Sequence, residues 1–229
     1  MRNCQLLILA AILSVVGCDS RDDSVPVQQP QTPKTEKGST VDNVTAGDDW
    51  QKSWDARLAA LEAEFGESED KIVTSPVPIY LGGGADVLTF KNHIDGVVYI
   101  SAGLIGDGGQ KKTDIGEYEL MMCAHDENDW MPSLLSKLAP YTFGAALNPG
   151  DTMDISSAMP KGSSIAALLY VPYRQFKVNG TDAGALLCIG ITEQELKHCR
   201  ENGHAEVLTK LNAKAIYPYT DTDRDSVVP

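Results

Sequence analysis

IAALLYV at residues 165–171 and ALLCIGI at residues 185–191 are unbroken apolar runs, each about as long as one β-strand. Because turn-forming residues stand beside both runs, they are typical of central strands that are covered on both faces of a sheet. The sequence Thr192–Glu195 (TEQE) follows the second run and has the pattern of a capping box. It predicts a helix at residues 193–200, and a second short helix is predicted at residues 204–211 after a glycine.

The preceding part of the chain predicts another helix and several shorter strands. Apolar side chains recur at helical spacing from Trp50 to Phe65, which predicts a helix packed against the core, with Asp48 or Asp49 at its start. Shorter strands are predicted at residues 79–81, 87–90, 97–104 and 116–124. In the strand at residues 116–124, Tyr118, Leu120 and Met122 fall on one face, and Glu117, Glu119 and Met121 fall on the other. We therefore expect one face of that strand to be exposed.

A helix that begins after Asp129 completes the pattern. Its apolar stripe starts at Trp130, Pro132 falls in the first turn, where a proline is tolerated, and Pro140 is expected to end or kink the helix. Taken together, these elements predict an α+β domain at residues 47–229, with a mixed sheet of five or six strands and helices that flank it.

The charge balance limits the classes of partner. The chain has 229 residues with 32 acidic and 19 basic side chains, which gives a formal net charge of -13. Binding to a phosphate backbone depends on clustered lysine and arginine, so the composition predicts no nucleic-acid partner. The apolar fraction of 42% is that of an ordinary globular protein rather than of a disordered or collagen-like chain.

The N-terminus has the pattern of a bacterial lipoprotein signal peptide. Arg2 precedes an apolar run at residues 6–16, which is too short for a comfortable membrane span. The sequence VVGC, which ends at Cys18, resembles a lipobox. We therefore expect a signal peptide at residues 1–17, lipid attached to Cys18, and a flexible tether rich in proline and glutamine at residues 18–46.

These expectations place the protein in the bacterial cell envelope. A lipid on Cys18 would make it a lipid-anchored membrane protein that faces the periplasm or the exterior. The alternative is an ordinary secretory signal that contains a chance cysteine.

Several familiar catalytic and metal-binding motifs are absent from the sequence. It contains no G-x-S-x-G, H-E-x-x-H or P-loop sequence and no C-x-x-C pair, so neither a cofactor nor a zinc site is predicted. Residues 221–225 (DTDRD) begin like a calcium loop, but the sixth position is Ser226 rather than glycine, and calcium is not expected. Cys123 and Cys188 lie in predicted strands; they could pair outside the cytoplasm, although we expect buried free thiols.

Five stretches occur in an order that resembles the suppressor of fused family: VVYISAGLI, GEYELMMC, DWMPSLLSKLAPYTF, GALLCIGITEQEL and NGHAEVLTKL. The resemblance covers roughly residues 79–229, and the closing TDTDRDSVV is similar to the tail of bacterial members. Pro140 interrupts the third stretch, and there the sequence departs from the family's pattern. The resemblance implies a suppressor-of-fused-like domain in a family that is not known for catalysis.

The resemblance implies protein binding as the function. The animal member holds an extended peptide of a transcription factor between two domains, and the second of those domains has no counterpart in this chain. Bacterial single-domain members act largely as immunity proteins that neutralise toxins. The resemblance therefore implies a non-catalytic protein-binding module whose partner is a protein or peptide, with toxin immunity as a candidate role.

If the surface follows that of the animal member in outline, the resemblance implies that the partner binds first at the acidic loop after the VYISAGL strand, with Asp107, Asp114 and Glu117 as the contact residues. Backbone hydrogen bonds at a sheet edge or cleft would contribute affinity, and acidic side chains would select a basic segment. The alternative hypothesis is an envelope hydrolase in which a histidine activates Ser101 or Ser163.

Overall fold

Six strands form a single sheet in the computed structural model, which describes residues 46–77, 79–106 and 109–229. The described residues belong to one compact unit. The strands are β1 (Val87–Phe90), β2 (Val97–Ser101), β3 (Glu117–Ala124), β4 (Thr152–Asp154), β5 (Ile165–Val178) and β6 (Thr181–Thr192). The helices are α1 (Ala46–Phe65), α2 (Trp130–Leu138), α3 (Tyr141–Gly144), α4 (Glu193–Asn202) and α5 (Ala205–Ala213), with 3₁₀ turns at Ile79–Leu81 and Ser156–Ala158.

The strand order across the sheet is β1-β2-β3-β6-β5-β4. β3 and β6 run parallel, and all the other neighbouring strands are antiparallel. The long β5–β6 hairpin turns at Asn179 and Gly180, which both have positive φ, as a two-residue hairpin turn of the primed type requires. The predicted α+β fold with a mixed sheet of five or six strands is confirmed.

Helices cover both faces of the sheet, which explains why the two central runs are apolar throughout. Side chains of β6 alternate: Leu187 and Ile189 contact the layer formed by α1, α4 and α5, whereas Leu186 and Cys188 contact the layer that contains α2. All four side chains are fully buried. Each buried side chain of this size contributes about 1.5–3 kcal/mol to folding, so the hairpin is the centre of the core.

The capping box predicted at the end of β6 is present. The backbone N–H of Glu195 donates to the Thr192 hydroxyl at 3.3 Å, and the Glu195 carboxylate accepts from the Thr192 N–H at 2.8 Å. Two short helices follow on either side of Gly203, as predicted. Among the described residues, no helix has both the length and the apolar composition that a membrane span requires.

Some local predictions are wrong because tertiary contacts override the local pattern. Residues 79–81 form a 3₁₀ turn rather than a strand, since the backbone of Val73 pairs with β1 instead. α1 begins at Ala46, so the two aspartates proposed as its cap lie inside the first turn. The three-residue strand β4 was not predicted, because its sequence is too short to show a period.

The third strand is buried on both faces, whereas an exposed face was predicted. Every residue from Tyr118 to Ala124 is buried, and Glu119 in the middle has no exposed surface. The second strand also ends at Ser101 rather than at 104. β3 is buried because its side chains pack alternately into the two layers that cover the sheet, and β2 ends early because the chain after Ser101 turns so that its backbone can bind the buried Glu119 carboxylate.

The described cysteines are free thiols, as we expected. Cys123 faces the layer of α1, α4 and α5, whereas Cys188 faces the layer of α2, so the sheet itself separates their sulfur atoms. Burial raises the pKa of the Cys188 thiol to about 12 and that of the Cys199 thiol to about 11. These thiols are therefore protonated and unreactive near neutral pH.

The C-terminal segment is fastened to the core by a buried ion pair. Arg224 donates to both carboxylate oxygens of Glu195, each at 2.6 Å, and the Val227 N–H donates to the same carboxylate at 2.8 Å. Burial alone would raise the pKa of Glu195, but these donors and the Thr192 N–H hold it below its ordinary value. Residues 221–225, whose sequence begins like a calcium loop, thus include the arginine that binds the C-terminal segment to the core.

Replacing Arg224 with leucine is expected to lower the free energy of unfolding by about 3–5 kcal/mol at pH 7, because Glu195 would remain buried and uncompensated. Urea denaturation measures the change. The depressed pKa means that the ionised Glu195 contributes stability above pH 4.5, its ordinary pKa, and loses it as the pH falls through the folded value. The effect of the substitution should therefore shrink below pH 4.5.

The matched control is Arg174→Leu, which removes an exposed guanidinium from β5. It should change the stability by less than about 0.5 kcal/mol. Equal losses in the two variants would contradict the assignment of the buried pair.

Candidate functional site

The loop between β2 and β3 is organised by the buried carboxylate of Glu119. One carboxylate oxygen accepts from the backbone N–H of Leu104 at 2.9 Å and from that of Ile105 at 3.0 Å. The other accepts from the Ser101 hydroxyl at 2.5 Å. The start of the loop is therefore fixed from beneath by β3.

Arg57 of α1 completes this arrangement from the helix side. Its guanidinium donates to the carbonyl oxygens of Ala102 and Ile105, each at 2.9 Å, and its Nε lies 3.8 Å from the Glu119 carboxylate. Burial raises the pKa of Glu119, and Arg57 with the backbone donors opposes that rise. The loop, the helix and the sheet are thus joined through a single buried network.

The predicted contact residues of this loop have different environments. Asp114 is exposed. Glu117 is only 13% exposed at its side chain; its carboxylate accepts from the Gly106 N–H at 2.7 Å and pairs with the Lys112 ammonium at 3.0 Å. Asp107 lies outside the described residues. Glu117 therefore serves the loop's own structure, and the proposed binding role of the three residues stays a prediction.

The serines of the hydrolase hypothesis are occupied by backbone and carboxylate partners. The Ser101 hydroxyl is buried between Glu119 and the Leu120 N–H, and the Ser163 hydroxyl accepts from the Ile165 N–H at 3.1 Å. Within the described ranges, no hydrogen bond joins a serine or cysteine to a histidine. The arrangement needed to activate a serine is not seen at either position.

Two open pockets lie on the surface. One, of about 300 Å³, lies beside β1, where the Lys91 ammonium pairs with Glu127 and with Glu69 at 3.5 Å. The other, of about 350 Å³, lies between Glu64 and Arg174. No serine, cysteine or histidine lines them. No group of three or more histidine, cysteine or acidic side chains in the described part of the chain is arranged to hold a metal ion.

The β1 edge of the sheet is covered by residues 68–73. The Glu69 N–H donates to the Thr89 carbonyl at 2.8 Å, and Val73 exchanges two backbone hydrogen bonds with Val87, at 2.9 and 3.0 Å. A further bridge joins Ser68 to Phe90. This edge is therefore closed to another strand.

The opposite edge is open along two stretches. One is the outer side of β4, and the other is residues 172–178 of β5, which extend beyond β4. No described segment pairs with either stretch. A sheet edge of this kind presents unpaired backbone N–H and C=O groups, which are a template for an added strand. We call these two stretches together the open edge.

The β5 stretch of the open edge carries features that discourage strand pairing. Pro172 has no N–H to donate, the register shifts between Pro172 and Arg174 at a bulge, and Lys177 adds an exposed charge. Proline, bulges and lysine are the devices by which proteins block their edges. β4 has none of them, so it is the better candidate for a docking strand.

Acidic side chains flank β4. Asp151 and Asp154 are exposed at its two ends, and the Asp151 carboxylate also accepts from the Asn148 N–H at 2.9 Å and from the Asn148 side-chain amide at 3.1 Å. The Asp154 carboxylate accepts from the Ser156 N–H at 3.0 Å, and these Ser156 hydrogen bonds, with the charge of Arg200, lower the pKa of Asp154. Met153, between them, packs with the layer of α2 and accepts from the Tyr170 hydroxyl. The strand thus combines an open backbone, an apolar side and acidic ends.

One comparison with known proteins matches a family, and another matches solved structures that share the fold. A family model described as Suppressor of fused protein (SUFU) matches residues 84–225, which is more than half of the chain. No curated protein matches the sequence.

Three solved structures are similar to this chain, each with 18% sequence identity. The Sufu–Fu complex matches with a TM-score of 0.59 over 76% of this chain and 92% of that one. A suppressor of fused homologue from Neisseria gonorrhoeae FA 1090 matches with 0.55 over 78% and 98%. Drosophila Suppressor of Fused matches with 0.58 over 75% of this chain and 51% of that one, so this chain spans about half of it.

The substitution Ser101→Ala is expected to lower the free energy of unfolding by about 1.5–3 kcal/mol, because it removes a hydrogen bond to a buried carboxylate. Chemical denaturation measures this loss. Ser163→Ala is the matched control, since its half-buried hydroxyl only accepts from a backbone N–H, and it should cost less than about 1 kcal/mol. A Ser101→Ala variant with an unchanged free energy of unfolding would contradict the role given to the Glu119 network.

Proposed function

The chain belongs to the suppressor of fused protein family, and on this premise we propose that it is a non-catalytic module that captures an extended segment of a partner protein along β4. The observation that carries the proposal is the open edge, which stands at one side of a sheet whose other side is covered. Backbone hydrogen bonds to an added strand would supply affinity without any cavity.

The similar structures and the absence of an assembled nucleophile in the described residues support this choice. One of the similar structures is described as a complex of Sufu with Fu, so that relative is seen bound to another protein. Here, the serines with candidate roles in hydrolysis are held by Glu119 and by backbone groups. Binding therefore accounts for the surface better than catalysis does.

The partner's segment is proposed to be basic. Asp151 and Asp154 stand at the ends of β4, and the protein as a whole carries a formal charge of -13. Opposite charges at the ends of a short paired strand would fix its register and raise the rate of encounter. Met153 offers an apolar contact beside one side chain of the captured strand.

A photo-crosslinking residue placed at Thr152 is expected to capture the partner in intact cells, because Thr152 lies in the docking strand. The same residue at Gln175, on the obstructed β5 stretch of the open edge, is the matched control and should capture little. Mass spectrometry of the crosslinked species measures the yield and identifies the partner.

A third crosslinking position, Asp114, separates the open edge from the acidic loop. Strong crosslinks there with none at Thr152 would contradict docking on β4 and favour the loop instead. Comparable yields at Thr152 and Gln175 would also contradict it, because the features that obstruct β5 would then have no effect.

We also propose that the module is a lipoprotein of the bacterial envelope, with the boundaries given above: a signal peptide at residues 1–17, a tether at residues 18–46 and the folded domain from residue 47. Cys18 lies outside the described residues, so the support is the lipobox-like sequence and the apolar run before it. In this place the module would neutralise a toxin that acts in the envelope. A neighbouring reading frame that encodes a toxin would support that role.

The variant Cys18→Ser is expected to leave the membrane fraction, because it removes the proposed site of the lipid. The wild-type protein should be released from membranes by detergent and not by high salt, since acyl chains rather than charges would hold it. Cell fractionation with immunoblotting measures the distribution. Cys4→Ser, in the same N-terminal segment, is the matched control; loss of membrane association in both variants, or in neither, would contradict lipidation at Cys18.

A further inference from the structure

The chain contains two exposed Asn-Gly sequences, at residues 179–180 and 202–203, and the structure places them in different secondary-structure elements. Asn179 and Gly180 form the exposed turn of the β5–β6 hairpin, with φ of 50° and 78°. Asn202 is the last residue of α4, and Gly203 follows it. Asparagine before glycine is the sequence most open to loss of the side-chain amide, since glycine leaves its own nitrogen unhindered.

The two glycine nitrogens differ in whether they are already engaged. The Gly203 N–H donates to the Cys199 carbonyl at 2.9 Å and closes the last turn of α4. The Gly180 N–H, by contrast, has no hydrogen-bond partner among the described residues, as is usual at the second central position of a tight hairpin turn. The glycine nitrogen is the nucleophile in the loss of the asparagine amide. It is thus hydrogen-bonded at Gly203 and has no such bond at Gly180 among the described residues.

We propose that Asn179 is a site of spontaneous deamidation in the folded protein and that Asn202 is protected. The backbone nitrogen of Gly180 forms a bond to Cγ of Asn179, the bond from Cγ to the side-chain nitrogen breaks, and ammonia leaves with the proton that the Gly180 nitrogen gives up. Water then opens the five-membered succinimide ring at one of its two carbonyls. The products are aspartate or isoaspartate, and the reaction needs no reagent besides water.

Either product changes the outer end of the hairpin. Aspartate adds a negative charge near the ion pair of Lys177 with Asp182. Isoaspartate inserts one extra carbon into the main chain between Val178 and Thr181, which are paired across the turn. The hairpin register then no longer matches the turn, because a two-residue loop fixes that register. Residues 172–178, the β5 stretch of the open edge, would lose order from this end.

The experiment follows both asparagines in one sample of the purified protein. The protein is incubated at mildly alkaline pH, digested, and examined by peptide mass spectrometry for exchange of the amide for a carboxyl group, with chromatography to separate isoaspartate. In the native protein, Asn179 should react about fivefold faster than Asn202 or more, which is the factor that one net hydrogen bond supplies. In concentrated guanidinium the two rates should converge, because both asparagines then precede an unconstrained glycine.

Two variants keep the test specific. Asn179→Gly retains a residue suited to positive φ, so the hairpin persists, and the product should vanish from its peptide. Asn179→Asp supplies the reference for the aspartate product. Equal native rates at the two sites, or a native Asn179 that stays intact while the denatured chain reacts, would overturn the proposal.

Discussion

The central strand β6 needs apolar cover on both of its faces, and the arrangement of the rest of the chain follows from this requirement. The residues from Ala185 to Ile191 are buried without exception, so neither face of the strand can meet water. α1, α4 and α5 supply one cover, and α2 supplies the other. Because the parallel neighbour β3 must also lie inside this three-layer structure, its glutamate is carried into the core.

Two irregular segments beside this core place backbone N–H groups where water cannot reach them, and two buried carboxylates accept hydrogen bonds from these groups. Glu119 receives the backbone donors of the loop after β2, and Glu195 receives those of the C-terminal segment. An apolar side chain at either position would leave these N–H groups buried and unpaired, which costs about 1–3 kcal/mol each. A buried ion pair by itself is weak evidence for stability. Here, Arg57 and Arg224 compensate carboxylates whose main task is to hold backbone in place.

The sequence predicts those elements whose local residue pattern indicates their secondary structure and burial. The apolar runs of β5 and β6, the TEQE cap and the helical spacing from Trp50 to Phe65 all identify elements that the structure contains. Glu119 shows why other features cannot be predicted in this way. It alternates with apolar neighbours, which is the pattern of a strand with an exposed face, and yet it is buried. Arg57, which lies 62 positions earlier in the chain, makes its burial possible, and no local pattern connects the two.

The same limit applies to the candidate site. Asp107, Asp114 and Glu117 are predicted from the family resemblance and from their charge, yet neither distinguishes an exposed docking carboxylate from one that is largely buried within its own loop, as Glu117 is. β4 could not be predicted as a candidate site. A strand of three residues shows no period, and an edge strand is recognised only because no other strand pairs with its outer side. The edge position of β4 follows from strand order, which is a property of the whole chain.

The proposed docking at β4 is consistent with the way in which the other sheet edges are protected. Residues 68–73 cover β1, while Pro172, a bulge and Lys177 obstruct the outer part of β5. An unprotected edge risks pairing with any extended chain, and β4 limits that risk by its length of three residues. So short a strand offers few backbone hydrogen bonds. If a partner docks there as proposed, discrimination would come from the side chains around the strand, and the acidic ends at Asp151 and Asp154 would supply a preference that the backbone cannot.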